Sequence, residues 1–179
     1  MSTPTYVTLE TVLGCFTVEL HGEQAPLSTA NFLAYVDSGR YDGSSFFRIV
    51  SPSNQQPEDP VRISVIHGGT RPLDPNNFPM IELESTLQTG LTHRHGTLSL
   101  GRDGPNSAEG DFFICLGDQP HFDHGGARHP DGLGFAVFGQ VCTGMEVVEA
   151  IWACAGEQEY LAPEGEIAIV RAYRQQRGV

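Results

Sequence analysis

Histidine and aspartate side chains concentrate in the second half of this sequence, where they could ligate a transition metal. The residues concerned are His93 and His95, two positions apart, and four residues of one loop, His121, Asp123, His124 and His129. Imidazole and carboxylate groups bind zinc and nickel, and histidine clusters occur in β-barrel metal enzymes. The His-x-His pair lacks the following Glu and the distant His of such a site. We therefore interpret these residues as solvated loop histidines and expect no metal.

A second chemistry to consider is nucleophilic catalysis by Ser99 or Ser107, since histidines lie nearby in the sequence. The chain contains no Gly-x-Ser-x-Gly segment, the nucleophile elbow of many hydrolases, so this class is not favoured. The glycine-rich segments at residues 68–69 and 101–104 do not open a predicted helix, as a phosphate-binding loop does. We interpret both segments as turns.

The charge of the chain excludes several further functions. Its 179 residues include 22 acidic residues and 10 basic residues, all of them arginine, and the net charge is -12. Without lysine there is no Schiff-base chemistry, no P-loop and no lysine general base. A strongly acidic chain also argues against nucleic acid as a partner, because phosphate binding depends on clustered positive charge.

The length and the hydropathy pattern predict one compact domain over residues 1–179. No apolar run reaches the roughly 20 residues of a membrane-spanning helix, and the N-terminal segment lacks the basic and apolar regions of a signal peptide. We expect a cytoplasmic monomer that does not interact with membranes. The four cysteines, Cys15, Cys115, Cys142 and Cys154, have no metal-ligand spacing and are expected to be buried free thiols.

Short β-prone segments dominate the chain. Strands are predicted at residues 6–10, 15–20, 45–50, 63–66, 96–100, 112–116, 135–141 and 167–173, with a candidate short strand at 81–84. One helix of about ten residues is predicted after Pro26, capped by Ser28 or Thr29, and a second helix over 145–154. Many short strands with two separate helices indicate a β-barrel or a sandwich whose open ends the helices cover.

Several segments resemble the cyclophilin family of peptidyl-prolyl isomerases, and they occur in the family's order. They are FFRIV at 46–50, HGG at 67–69, GTLSLGRDGPNSAEGDFFICL at 96–116, FAVFGQV at 135–141 and GMEVVEAI at 144–151. The resemblance covers nearly the whole chain. It implies a closed eight-stranded antiparallel β-barrel capped by two α-helices, and an enzyme that isomerises Xaa-Pro bonds without a cofactor.

The resemblance implies that Arg48 is the central residue of the site. Rotation about the Xaa-Pro bond has a barrier of about 18–20 kcal/mol, and catalysis requires only that the twisted amide is bound more tightly than the planar amide. A guanidinium directed at the amide nitrogen stabilises mainly the twisted state. From strand alternation, Phe46, Arg48 and Val50 should share one face of their strand.

The remaining site residues are carried over from the family position by position. The apolar pocket for the proline ring corresponds to Val65, Phe113 and Phe122. The departures from the family pattern are Ser64 for a pocket phenylalanine, His67 and Asp111 for glutamines, His121 for a rim residue such as tryptophan, Phe135 for a histidine or tyrosine, and Gly101-Arg102 for an alanine-asparagine backbone platform. These departures predict a thinner and more polar pocket. The expected binding partners are still proline-containing peptides or unfolded protein segments.

Two of the departures leave alternatives open. Asp111 could pair with Arg48 and hold it away from the substrate, or orient it with one N–H edge free. The segment between Arg48 and His67 is longer than in the family, and its polar part at 51–60 is expected to be an exposed, mobile surface insertion, although it could also extend or cover the groove. The alternative to an isomerase is a cyclophilin-like peptide-binding module with weak or lost activity.

Overall fold

Eight antiparallel strands close into a barrel in the computed structural model, which describes residues 3–59 and 61–176. In chain order the strands are β1 (Thr5–Thr11), β2 (Gly14–Leu20), β3 (Ser45–Val50), β4 (Val65–Gly69), β5 (Thr97–Leu100), β6 (Asp111–Cys115), β7 (Val137–Thr143) and β8 (Ile167–Arg174). Around the barrel they follow the order β1-β2-β7-β5-β6-β4-β3-β8, and β8 pairs with β1. The predicted fold class is confirmed.

The helices lie between strands along the chain, after β2, after β4 and after β7. They are α1 (Pro26–Asp37), the single-turn α2 (Thr86–Thr89) and α3 (Met145–Trp152), so that α1 and α3 correspond to the two predicted helices. Side chains of both main helices contribute to the core, including Phe32 from α1 and Ile151 from α3. None of the helices in the described ranges is long and apolar enough to cross a membrane.

Two short segments differ from their predicted structure. Residues 81–84 do not form a strand, since Ile81 makes only an isolated bridge with Ala108. The glycine pair at 68–69 belongs to β4 and is not a turn. A Cβ atom on Gly68 would overlap with the carbonyl oxygen of Ser45, so the close approach of β3 and β4 requires glycine there.

Strand alternation in β6 separates the barrel core from the outer face. Phe112 and Ile114 lie in the core, where Phe112 packs edge-to-face against Phe32 of α1 with ring centroids 5.4 Å apart. Phe113 and its neighbour Cys115 belong to a second apolar cluster on the other face of the strand. This outer face of β6 therefore supplies part of the floor of the site described below.

The N-terminus of α1 is capped by a residue from a distant loop. The Glu84 carboxylate, in a side chain only 2% exposed, accepts hydrogen bonds from the backbone N–H groups of Leu27 at 3.1 Å and Ser28 at 2.6 Å, and from the Ser28 hydroxyl at 2.7 Å. The prediction of Ser28 or Thr29 as the cap is wrong, because both lie within the helix. A carboxylate satisfies the free amides and complements the helix dipole.

The polar segment between β3 and β4 is packed against the barrel. Asn54 donates to the carbonyl of Ile49 at 2.9 Å and accepts from the N–H of Ser51 at 2.8 Å. Gln55 donates to the carbonyl of Ile63 at 2.8 Å and accepts from its N–H at 3.0 Å. Both amide side chains are buried. The expectation of an exposed insertion is wrong for these residues, because they satisfy backbone groups that would otherwise be buried without partners.

Burial separates one cysteine from the other three. Cys115 is buried in β6, and desolvation raises the pKa of its thiol far above the ordinary value. Cys15, Cys142 and Cys154 are exposed free thiols. The expectation of buried thiols is therefore wrong for these three, although each stands beside apolar residues in the sequence.

Candidate active site

A groove of about 320 Å³ lies over the outward faces of β3, β4 and β6. Nine residues predicted for the site line it, namely Arg48, Val65, His67, Gly101, Arg102, Asp111, Phe113, Phe122 and Phe135. The tenth, His121, is exposed on the 3-10 turn Pro120–Phe122 and does not line the groove. Lining residues that were not predicted for this site are Ile63, Pro72, Leu73, Met80, Asp103, Ser107, Glu109, Arg128, His129 and Tyr160.

The floor of the groove is apolar. Phe113, Phe122 and Phe135 form an aromatic cluster, in which the Phe113 centroid lies 4.8 Å from that of Phe122 and 5.6 Å from that of Phe135. Ile63 extends this floor and is 3% exposed. Ser64, which aligns with the pocket phenylalanine of the family, does not line the groove. The prediction of a thinner, more polar floor at this position is therefore wrong, because Ile63 supplies the apolar surface.

A β-bulge in β3 determines the direction of Arg48. Phe46 pairs with Gly68 and Arg48 pairs with His67, so Phe47 is an extra residue in the register. The extra residue breaks the alternation of the strand. Phe46 consequently lies in the barrel core, whereas Arg48 lines the groove. The expectation that these two side chains share a face is wrong.

The Arg48 guanidinium is held by an acidic residue that lies far along the chain. Its Nε and Nη2 donate to Oε2 of Glu159 at 2.9 and 2.5 Å. The ring of Tyr160 lies beside the same group, with Cζ of Arg48 5.4 Å from the ring centroid. The backbone supports this arrangement, because the N–H of Ile49 donates to the Glu159 carbonyl at 2.8 Å. No sequence motif marks Glu159 or Tyr160, so neither residue was predicted for the site.

The Asp111 carboxylate pairs with His67. Oδ2 of Asp111 lies 2.8 Å from Nε2 of His67, and both residues are buried. A Cβ atom on Gly101 would overlap with this oxygen, which explains why glycine suits a position where the family has alanine. Neither alternative for a pair between Asp111 and Arg48 is realised, since Glu159 is the carboxylate that binds the guanidinium.

The side chain of Arg102 is bound within one wall of the groove. Its N–H groups donate to the carbonyl of Gly134 at 2.9 and 2.7 Å, to the carboxylate of Asp131 at 2.8 and 2.9 Å, and to the carbonyl of Asp103 at 2.9 Å. These bonds use all five guanidinium donors, and they hold the pKa of the Asp131 carboxyl well below its usual range. Only the backbone near Arg102 is therefore available to a peptide.

A buried hydrogen-bonded chain supports the aromatic floor from below. The His93 ring stacks parallel to Phe113, with centroids 6.0 Å apart, and the residue is 2% exposed. The interpretation as a solvated loop histidine is therefore wrong for His93. Its Nδ1 lies 2.7 Å from Oδ1 of Asp123, and its Nε2 lies 2.9 Å from Oγ of Ser99. The order of groups is that of a Ser-His-Asp triad. However, Ser99 is fully buried and its hydroxyl donates to the Ala136 carbonyl, so a substrate has no access to this oxygen.

The other histidines considered for metal binding have separate contacts. Nδ1 of His95 accepts a hydrogen bond from the N–H of Gly117 at 2.7 Å, and Nδ1 of His129 lies 3.0 Å from Oδ1 of Asp131. Within residues 3–59 and 61–176, no group of three or more His, Cys, Asp or Glu side chains is arranged to hold a metal ion.

Comparison with known proteins gives consistent matches over most of the chain. The family model described as cyclophilin type peptidyl-prolyl cis-trans isomerase/CLD matches residues 6–174. Peptidyl-prolyl cis-trans isomerase cyp18 of Streptomyces antibioticus is 34% identical over 146 residues, which cover 81% of each chain. Peptidyl-prolyl cis-trans isomerase CYP18-2 of Arabidopsis thaliana is 35% identical over 149 residues, covering 83% of this chain and 80% of that protein.

Solved structures agree with the fold. A cyclophilin type peptidyl-prolyl cis-trans isomerase of Cryptosporidium parvum superimposes with a TM-score of 0.75 at 22% identity, covering 98% of this chain and all of that chain. A second structure of that protein, obtained in the presence of the dipeptide Ala-Pro, gives a TM-score of 0.74 at 21% identity, covering 96% of this chain and 99% of that chain. At this identity the likeness supports the architecture. The family model and the sequence relatives go further and confirm the resemblance and the enzyme class that it implied: the chain belongs to the cyclophilin-type peptidyl-prolyl cis-trans isomerase family.

Proposed function

We propose that the protein catalyses the cis/trans isomerisation of Xaa-Pro bonds in peptides and unfolded protein segments, with Arg48 as the electrostatic catalyst. The observation that carries this proposal is the position of Arg48, whose charged group lines a groove with an apolar, largely aromatic floor. The relatives described above are named as isomerases of this bond, and the Cryptosporidium parvum protein was crystallised with a proline dipeptide.

The chemistry requires a rotation and no bond cleavage. As the amide twists, its nitrogen lone pair localises and becomes a better hydrogen-bond acceptor, while the planar amide offers no such acceptor. An N–H group of Arg48 that donates to this nitrogen therefore binds the twisted state more strongly than the planar state. Each 1.36 kcal/mol of this difference accelerates the rotation by about tenfold. No cofactor enters the mechanism.

Two features of the groove assist this step. The floor formed by Val65, Phe113 and Phe122 buries the proline ring, and each buried methylene contributes about 0.8 kcal/mol to binding. Glu159 binds Nε and Nη2 of Arg48, and among the described residues Nη1 has no hydrogen-bond partner. Glu159 then acts as a positioning residue that fixes the guanidinium and leaves one nitrogen for the substrate.

The test is an isomerisation assay on several Xaa-Pro peptides, by NMR exchange or by coupling to a protease. We expect Arg48→Ala to lower kcat/KM by at least about tenfold, which corresponds to ~1.4 kcal/mol of transition-state stabilisation. Arg94→Ala removes an exposed arginine outside the groove and should retain the wild-type rate. Full activity of Arg48→Ala would exclude Arg48 as the catalyst. Peptide binding without catalysis by the wild type would favour the binding module instead.

We also propose that residues 1–179 act as one domain, as a monomer in the cytoplasm. The closed barrel supports a monomeric single domain, because each of its strands is paired on both sides and offers no free edge to a second copy. Light scattering coupled to size-exclusion chromatography should give a mass of 19.4 kDa. A dimer mass, or a tagged protein found outside the cytoplasm, would contradict the respective part of the proposal.

A further inference from the structure

Arg128 lines the groove with a guanidinium that has no ion pair or hydrogen bond with a described residue. Within the described part of the chain, the hydrogen bond of Arg128 is made by its backbone N–H, which donates to the carbonyl of His121 at 3.1 Å. The two other groove arginines, Arg48 and Arg102, are each bound to a carboxylate. A half-buried arginine is normally paired, and this chain has 22 acidic residues to provide a partner. The unpaired cation therefore requires an explanation.

Two acidic residues interact electrostatically with the Arg128 guanidinium, and both are bound to other groups. They are Glu159, which holds Arg48, and Asp59, whose Oδ2 accepts the backbone N–H of Gln56 at 3.2 Å. Burial, and then the positive charge of Arg48, lower the pKa of the Arg128 guanidinium. The group stays charged at neutral pH, since the ordinary pKa of arginine is above about 12. Because the guanidinium is partly removed from water, it binds an incoming anion more strongly than a fully hydrated one would.

The loop that carries Arg128 is held in place by its own hydrogen bonds. The N–H of Gly125 donates to the carbonyl of Gly132 at 2.8 Å, and the N–H of Gly126 donates to the carbonyl of Asp123 at 2.8 Å. Arg102 binds the following part of the loop through Asp131. The guanidinium is therefore presented from a backbone that needs little ordering when a ligand binds, which favours affinity.

We propose that Arg128 is an anion subsite of the groove, and that it selects peptides with an aspartate or glutamate side chain close to the Xaa-Pro bond. The inference rests on the proposed function, because it assumes that the peptide lies along this groove with its proline on the aromatic floor. The acidic side chain of the peptide would be the ion-pair partner of Arg128, since the two carboxylates that act on this guanidinium, Glu159 and Asp59, are bound to other groups. Electrostatic complementarity of this kind acts mainly on the choice of substrate.

The experiment uses two peptide series that differ only in charge. Glutamate or glutamine is placed at each position on either side of the Xaa-Pro bond, and kcat/KM is measured for the wild type and for Arg128→Gln, Arg128→Glu and Arg94→Gln. We expect the wild type to favour glutamate by about three- to tenfold at one or more positions, as for a charge-assisted bond at a partly exposed site. The ratio of kcat/KM for the glutamate peptide to that for the glutamine peptide should fall to about one in Arg128→Gln and persist in Arg94→Gln. In Arg128→Glu it should reverse, so that the glutamine peptide is preferred.

Because each preference is a ratio within one protein, a change in overall activity or stability does not affect it. Equal rates for glutamate and glutamine at every position would overturn the inference while leaving the proposed function intact. If the wild type catalyses no peptide, the proposed function fails, and NMR titration of the same peptides still tests the subsite. Tighter binding of the glutamate peptides that disappears in Arg128→Gln would support it, and equal binding would overturn it.

Discussion

Oε2 of Glu159 accepts two hydrogen bonds from the guanidinium of Arg48, from Nε at 2.9 Å and from Nη2 at 2.5 Å, although 111 residues separate them in the chain. Both side chains are about one-fifth exposed, at 21% and 19%. The pair therefore borders the groove and is not part of the core. This oxygen fixes the orientation of the guanidinium through Nε and Nη2, and no hydrogen bond joins Glu159 to Nη1, so the position of Glu159 bears directly on the proposed catalysis.

The first prediction concerns Glu159→Gln. This change keeps the size of the side chain but removes the charge that holds Arg48, and we expect kcat/KM for Xaa-Pro peptides to fall by about three- to tenfold, less than for Arg48→Ala. Glu157→Gln changes an exposed glutamate two residues earlier and serves as the matched control. A Glu159→Gln enzyme more active than the wild type would show that the carboxylate competes with the substrate for Arg48.

A second prediction concerns the contact between Gly101 and the Asp111–His67 pair. In Gly101→Ala the new Cβ atom would overlap with Oδ2 of Asp111 and lie 3.2 Å from Nε2 of His67. We expect a loss of about 1–3 kcal/mol in the free energy of unfolding, measured by urea denaturation, because a buried hydrogen bond must be distorted. Gly104→Ala is the control, since its Cβ atom would meet no atom of the described residues within 4 Å. Equal stabilities of the two variants would show that Asp111 moves aside freely.

A third prediction concerns the pH dependence of stability through His93. Burial lowers the pKa of the His93 imidazole, and the nearby Asp123 opposes this effect only in part. The unfolded chain therefore binds a proton more readily than the folded protein. The resulting stabilisation is complete above the ordinary histidine pKa of about 6.5 and is lost as the pH falls below it.

We expect the unfolding free energy of the wild type to decrease between about pH 7 and pH 5, and to decrease less in His93→Gln, in which this titration is absent. Urea denaturation at several pH values measures both slopes. Thr92→Ala, which changes an exposed residue next to His93 without altering a titratable group, should retain the wild-type slope. A His93→Gln slope equal to that of the wild type would mean that His93 does not contribute to the pH dependence.

The sequence was sufficient for the fold and for part of the groove lining, but residues such as Arg128 and Tyr160 were not predicted. Local alternation and turn residues mark the strands, and the segments that resemble the family bring distant residues such as Arg48 and Phe113 to one site. The direction of Arg48 could not be predicted, because the bulge at Phe47 depends on pairing with β4 and has no local signal. The partner of Arg48 was missed for the same reason, since Glu159 reaches it only through long-range backbone contacts.

An insertion also makes it harder to assign site residues by comparison with a family, position by position. The alignment assigned the pocket position to Ser64, whereas the apolar side chain that lines the groove is its neighbour Ile63. The extra residues before β4 change how the chain enters the strand, and composition predicted only an exposed segment. Arg128, likewise, lies in a loop whose two ends, Phe122 and Phe135, were assigned to the site, whereas nothing in the sequence singled out Arg128 itself.

The last prediction concerns the segment before β4. Gln55 is buried and connects this segment to Ile63 by hydrogen bonds of 2.8 and 3.0 Å, while the next residue, Gln56, has an exposed side chain. Gln55→Ala removes both bonds and leaves backbone groups without partners, so we expect the free energy of unfolding to fall by about 2–3 kcal/mol. Gln56→Ala should change it by less than about 0.5 kcal/mol. Because Ile63 lines the groove, Gln55→Ala should also raise KM for Xaa-Pro peptides. Unchanged stability and KM would contradict the view that this segment forms part of the site.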